Sequence, residues 1–181
     1  MAMGWGDLFF LLDLAAYITL FFFAKGWKVK GGKASYLPLI LVPLAVIVSI
    51  VESALFGFFG AILGVLNFLL LFVYFAGRPE HILGFFKDKP FLLVASIPLL
   101  GTFVGFLVIY LSSAGGIPII RLLLSVVGFS IILLSKGLLV SLTAEVLERG
   151  GINRYWSLLF SFLGYIGLLL AVLIVRRREE V

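Results

Sequence analysis

Ile117 to Gly151 reads IPIIRLLLSVVGFSIILLSKGLLVSLTAEVLERGG, the longest uninterrupted helical pattern in the chain. Pro118 suits the first turn of a helix, where a missing N–H costs nothing. Gly150–Gly151 suit its end. Arg121 and Lys136 sit inside apolar sequence, and Glu145, Glu148 and Arg149 close the pattern. A helix over 118–148 is predicted, with the rest of the chain arranged around it.

The surrounding composition fixes the solvent of that helix. Of 181 residues, 63% are hydrophobic, and mean hydropathy is +1.26. A water-soluble domain is roughly 45–50% apolar, so this chain has too little polar surface to cover a soluble globule. Its apolar runs are each long enough to cross ~30 Å of hydrocarbon at about 20 residues per helix. The fold class is all-α integral membrane, a single bundle of about six transmembrane helices in the cell membrane. Spans are predicted near 8–24, 36–56, 58–76, 91–111, 118–148 and 155–175. The block Tyr36 to Ala76 holds 41 residues. As one helix it would measure about 60 Å, so it folds back, at Gly57–Gly60 or near Glu52–Ser53. Trp5 and Trp27 bracket the first span, as indole rings favour the two water–lipid boundaries. MAMGWGD carries no Lys or Arg, so the first span is expected to be retained rather than cleaved.

Chemistry is excluded more easily than assigned. There is no cysteine and one histidine, His81, which leaves no thiolate nucleophile and no Cys- or His-based metal set. No G-x-S-x-G or H-E-x-x-H pattern occurs, so no catalytic residue, metal ligand or cofactor is assigned. The net charge of +5 comes from Lys and Arg beside the spans, which orients a membrane protein. No nucleic-acid partner is implied, since there is no soluble basic face. The chain has no Gln and only Asn67 and Asn153, a depletion that also occurs in thermophilic proteins.

With the N-terminus outside, nine Lys and Arg fall inside and three outside, which favours that orientation. The three outside are Arg176, Arg177 and Arg178. They are the one misfit, removed if one segment fails to cross or bends back, giving five or seven spans instead of six. The connector Gly77 to Lys89 mixes charge with Ile82, Leu83, Phe85 and Phe86, the pattern of a short interfacial helix.

A weak internal similarity joins two regions. A span, KGGKASY at Lys30 to Tyr36 and a second span match a span, RGGINRY at Arg149 to Tyr155 and a final span. At Pro79 to Lys89, Gly150–Gly151 and Tyr155 the sequence resembles the Yip1-domain family of polytopic membrane proteins. The resemblance covers about residues 79–175. The order is rotated relative to that family's five-span pattern, in which the Gly-Gly loop lies mid-chain. It implies a non-enzymatic role in membrane organisation or as a partner of other membrane proteins.

Ionisable residues within spans cost roughly 2.5–3.5 kcal/mol each on insertion scales, so they tend to be paired or functional. Measured along the helices, Asp13 and Lys136 fall near mid-depth, and Glu52 and Arg121 near the outer boundary. Two ion pairs, Asp13–Lys136 and Glu52–Arg121, are therefore expected, set against snorkelling of the two cations. Gly60 with Gly64, and Gly101 with Gly105, are G-x-x-x-G pairs that allow close helix approach. Asn67 and Tyr165 are read as helix–helix hydrogen bonds, His81 as solvated, and Glu145, Glu148 and Arg149 as a solvated helix end. Two functions follow. One is a non-catalytic protein acting through helix–helix association, as a subunit, an organiser or a homo-oligomer in the lipid bilayer. The other is a small transporter or channel with a polar path lined by Asp13 and Lys136. An intramembrane enzyme ranks third.

Overall fold

The computed structural model describes residues 5–114 and 117–179, with side chains described from Leu11 onward except Ala114. Trp5 lies outside the described side chains, so its place at a boundary is not among the findings. Eight α-helices are described: α1 Trp5–Phe23, α2 Leu37–Phe56, α3 Phe58–Gly77, α4 Pro79–Leu83, α5 Phe91–Ala114, α6 Pro118–Arg149, α7 Ser157–Phe162 and α8 Tyr165–Glu179. Among the described residues there is no β-strand beyond one isolated antiparallel bridge, Lys28 with Pro90. Four helices, α2, α3, α5 and α6, are long and apolar enough to cross a membrane. The protein is a helical membrane protein.

Two tight helical hairpins fill one part of the bundle. In the first, α2 and α3 meet at Gly57, whose φ of 55° lies in the left-handed region that favours glycine. A Cβ on Gly60 would stand 1.9 Å from the Glu52 carbonyl oxygen, so only hydrogen fits there. Gly64 rests on Ser49 in the same seam. In the second hairpin, α5 packs on α6 through Gly101 against Ser135 and Gly105 against Gly128 and Ile132. Both G-x-x-x-G pairs thus join helices of the same chain.

α6 is the spine, in contact with α2, α3, α4, α5, α7 and α8. Its 32 residues span about 48 Å, well beyond ~30 Å of hydrocarbon. Every residue from Gly137 to Leu147 is buried, because the connectors wrap this end. Val29 N–H donates to Lys89 O at 3.0 Å, Asp88 N–H to Val29 O at 3.0 Å and Phe91 N–H to Trp27 O at 2.9 Å. The segment 79–86 is therefore more than an interfacial helix. Ile82 and Leu83 are buried, and α4 packs against α6. This end holds both Gly-Gly connectors and is called the basic end here.

The segment expected as the sixth span is two helices. α7 ends at Phe162, the chain turns at Leu163–Gly164, and α8 begins at Tyr165. Gly164 has φ 61°. A Cβ on Gly167 would lie 1.7 Å from the Phe160 carbonyl oxygen, so the two helices lie against one another. The start of α7 is at the basic end, where Tyr155 meets Gly77. The finish of α8 is there too. Val175 packs on Gly150, Arg178 donates to Gly150 O at 2.8 Å, and Arg176 donates to Phe22 O and Phe23 O. The pair goes in and comes back out. Arg176, Arg177 and Arg178 consequently share an end with Lys25, Lys28, Lys30 and Lys33.

Candidate functional site

The turn between α7 and α8 brings a helix N-terminus into the bundle, where its free N–H groups need acceptors. Asp13 on α1 supplies one. Its Oδ1 accepts from Tyr165 N–H at 2.9 Å. Asp13 lies ten residues before the end of α1 at Phe23, about 15 Å along the helix. A carboxylate at a helix N-terminus also meets the positive end of the helix dipole. Tyr165 then fixes the tip from the other side. Its hydroxyl donates to Ala95 O on α5 at 2.6 Å, and its ring stands edge-on to Tyr17 at 5.7 Å.

Beside this tip is a cavity of about 730 Å³. Its walls are Asp13 of α1, Leu69, Phe72 and Val73 of α3, Lys136, Leu139 and Val140 of α6, and the inner face of the α7–α8 turn. Leu69, Val73, Phe162 and Leu163 belong both to this wall and to the exposed outer surface. The mouth therefore lies between α3 and the tip of α7, on the side of the bundle. Apart from Asp13, Lys136 and Ser161, the lining is apolar or glycine.

Asp13 and Lys136 share this cavity, but among the described residues no ion pair joins them. The reason is depth. Gly137 packs on the Phe75 ring, and Ser141 donates to Phe75 O at 3.2 Å. Phe75 is two residues from the end of α3 at Gly77. Lys136 is thus only one to two turns from the basic end of α3, and α6 runs on past that end to Arg149. The Asp13 carboxylate, deeper by on the order of 10 Å, is held by Tyr165 instead.

Glu52 accepts from Asn67 Nδ2 at 2.9 Å, which ties α2 to α3. Arg121 is exposed near the far end of α6. Asn67 and Tyr165 both make helix–helix hydrogen bonds. His81 is half-buried rather than solvated, its Nδ1 2.7 Å from the Tyr74 hydroxyl.

Glu145 is the largest departure from expectation. It is 7% exposed, not a solvated helix end. Its carboxylate pairs with Arg149 one turn on and accepts from Lys30 N–H at 2.8 Å and Gly31 N–H at 3.4 Å. Arg149 also donates to Lys28 O and lies over the Trp27 ring, 5.2 Å from its centroid. This cluster clamps the first connector onto α6. A second cavity, about 240 Å³, lies beside it between Glu80, Glu145 and Glu148. The backbone donors that hold Glu145 lie 115 and 114 residues away in sequence, and no local pattern announces them.

Fold and site define a class: an all-α membrane protein with a side-opening, mainly apolar cavity beside a doubled-back helix pair. No protein-family model, curated protein or solved structure matches the chain, so the functional reading rests on its own residues.

Proposed function

We propose that this is a five-span membrane protein that binds a small amphipathic molecule, taken from the bilayer into the cavity between α3, α6 and the α7–α8 turn, as a carrier or transporter of that molecule. The spans are α1, α2, α3, α5 and α6, and α7–α8 is a re-entrant pair. The N-terminus is outside and the C-terminus inside. This arrangement places twelve Lys and Arg at the cytoplasmic end: Lys25, Lys28, Lys30, Lys33, Arg78, Lys87, Lys89, Arg149, Arg154, Arg176, Arg177 and Arg178. It removes the misfit of the arginine tail and agrees with the positive-inside tendency. Broken helices at membrane depth are tolerated where protein or a cavity satisfies their backbone, and in transporters they build substrate sites.

The observation that carries the reading is the cavity. Its volume falls in the range of small-molecule sites, ~300–1,000 Å³, and its lining is too apolar for an ion path. Association between chains draws less support, because Gly60, Gly64, Gly101 and Gly105 are all covered by helices of the same chain. The test is extraction of the protein in a nonionic maltoside and mass spectrometry of what remains bound. One amphipathic class is expected at near-stoichiometric amounts in the native chain. It should be lost in V140W, which fills the cavity from α6, and reduced in V73W, which narrows the mouth. The same bound complement in all three proteins would refute the reading.

A further inference from the structure

The cavity carries charge at two depths, and the two charges differ in state. Asp13 already accepts a hydrogen bond from Tyr165 N–H and sits at the positive end of α8. Lys136 lines the same space, yet among the described residues no hydrogen bond or ion pair reaches it. The cavity therefore offers one uncommitted positive group. That group stands near the basic end, which the five-span reading puts at the level of the lipid head groups. Deeper in, the wall is Leu69, Phe162, Leu163 and Ile166. The mouth opens on the side of the bundle. A cation at head-group level above an apolar, side-opening space matches a molecule with an anionic head and one apolar tail.

We propose that the cavity takes a single-chain amphipathic anion, its carboxylate or phosphate head on Lys136 and its tail along α3 and the α7–α8 turn. This rests on the cavity reading above and names its ligand class. Lysine suits the role because its ammonium is a compact charge on a flexible stem that can follow a head group. Asp13 serves the fold of the tip through Tyr165 N–H, and the anionic head stays at Lys136, away from it.

The test is equilibrium binding of radiolabelled dodecanoate and dodecyl phosphate to the purified full chain in a nonionic maltoside. Dodecyltrimethylammonium, monolauroylglycerol and a zwitterionic single-chain phosphocholine serve as comparisons. Both anions should bind the native chain more tightly than the cation or the neutral ester. K136Q should weaken the anions by roughly tenfold or more, the loss of one charge-assisted hydrogen bond, and leave the neutral ester unchanged. K136R should keep most of the affinity. Whether dodecanoate or dodecyl phosphate binds tighter identifies the head group. Anion binding unchanged in K136Q would overturn the proposal, as would preference for the cation, the neutral ester or the zwitterion. If those preferred ligands are still displaced in V140W, the cavity reading survives and only the anion is wrong. If nothing depends on V140W, both readings fall.

Discussion

The α2–α3 and α7–α8 hairpins use one device at two depths. Each reverses the chain at a glycine with positive φ, Gly57 at 55° and Gly164 at 61°. Each closes its seam with a glycine that touches a carbonyl oxygen, Gly60 on Glu52 and Gly167 on Phe160. They differ in arm length. The arms of the first have 20 residues each, so its tip emerges at the far end of the bundle. The first arm of the second has six residues, so its tip stops inside. Nothing lies within 4 Å of a Cβ built on Gly57, whereas one on Gly164 meets the Asp13 carboxylate at 2.6 Å. The Gly57 turn is left open, whereas the Gly164 turn lies inside the bundle and takes its acceptor from Asp13.

The most severe break in this comparison is a methyl group in either seam. G60A and G167A each force a Cβ against backbone, and overpacking of this kind costs about 1–3 kcal/mol or more. Both variants should give the lowest recovery of folded protein and the largest fall in unfolding temperature in detergent. A tolerated G167A beside a damaged G60A would mean that α7 and α8 do not pack as described.

Next in size is the removal of charge. D13N weakens the cap at the buried tip and should cost on the order of 1–2 kcal/mol, the range for a charge at a partly buried helix end. E52Q alters a hydrogen bond between helices near the surface and should cost about 0.6 kcal/mol, a typical value for such bonds in membranes. Thermal unfolding of the two variants orders them, and equal losses would remove the distinction between the tips.

Changes at the turns themselves carry effects of comparable size. G57A meets open space and carries only the backbone cost of its positive φ, about 1–3 kcal/mol. G164A carries the same cost and also pushes on Asp13. A drop in unfolding temperature larger for G164A than for G57A would sharpen the comparison.

The apolar runs that became α2, α3, α5 and α6 were visible in the sequence, because 20 or more apolar residues between charges have few other uses. The turn at Gly57 was visible because 41 apolar residues exceed one crossing. The reversal at Gly164 was not, since 155–175 has the length and hydropathy of a span and a single glycine within a span is common. The signal for it was electrical, three arginines on the wrong side. Asp13 and Lys136 were found as residues of one site, but their bonding was not. Lys136 lies close to the basic end of α3 because α6 runs on past that end. Glu145 reads as solvated because its partners come from the distant 28–31 connector. Both follow from an α6 that outruns its neighbours, with connectors wrapped around its last turns.

α8 returns to the end from which α7 starts, and the absence of cysteine allows this to be measured cleanly. Single-cysteine variants K30C, S113C and R177C are to be treated with a membrane-impermeant maleimide in sealed membranes of known orientation. R177C should react from the same side as K30C, and S113C from the opposite side. Reaction of R177C from the side of S113C would mean that 155–175 crosses the membrane, and the re-entrant pair, its cap and the cavity built on it would be wrong.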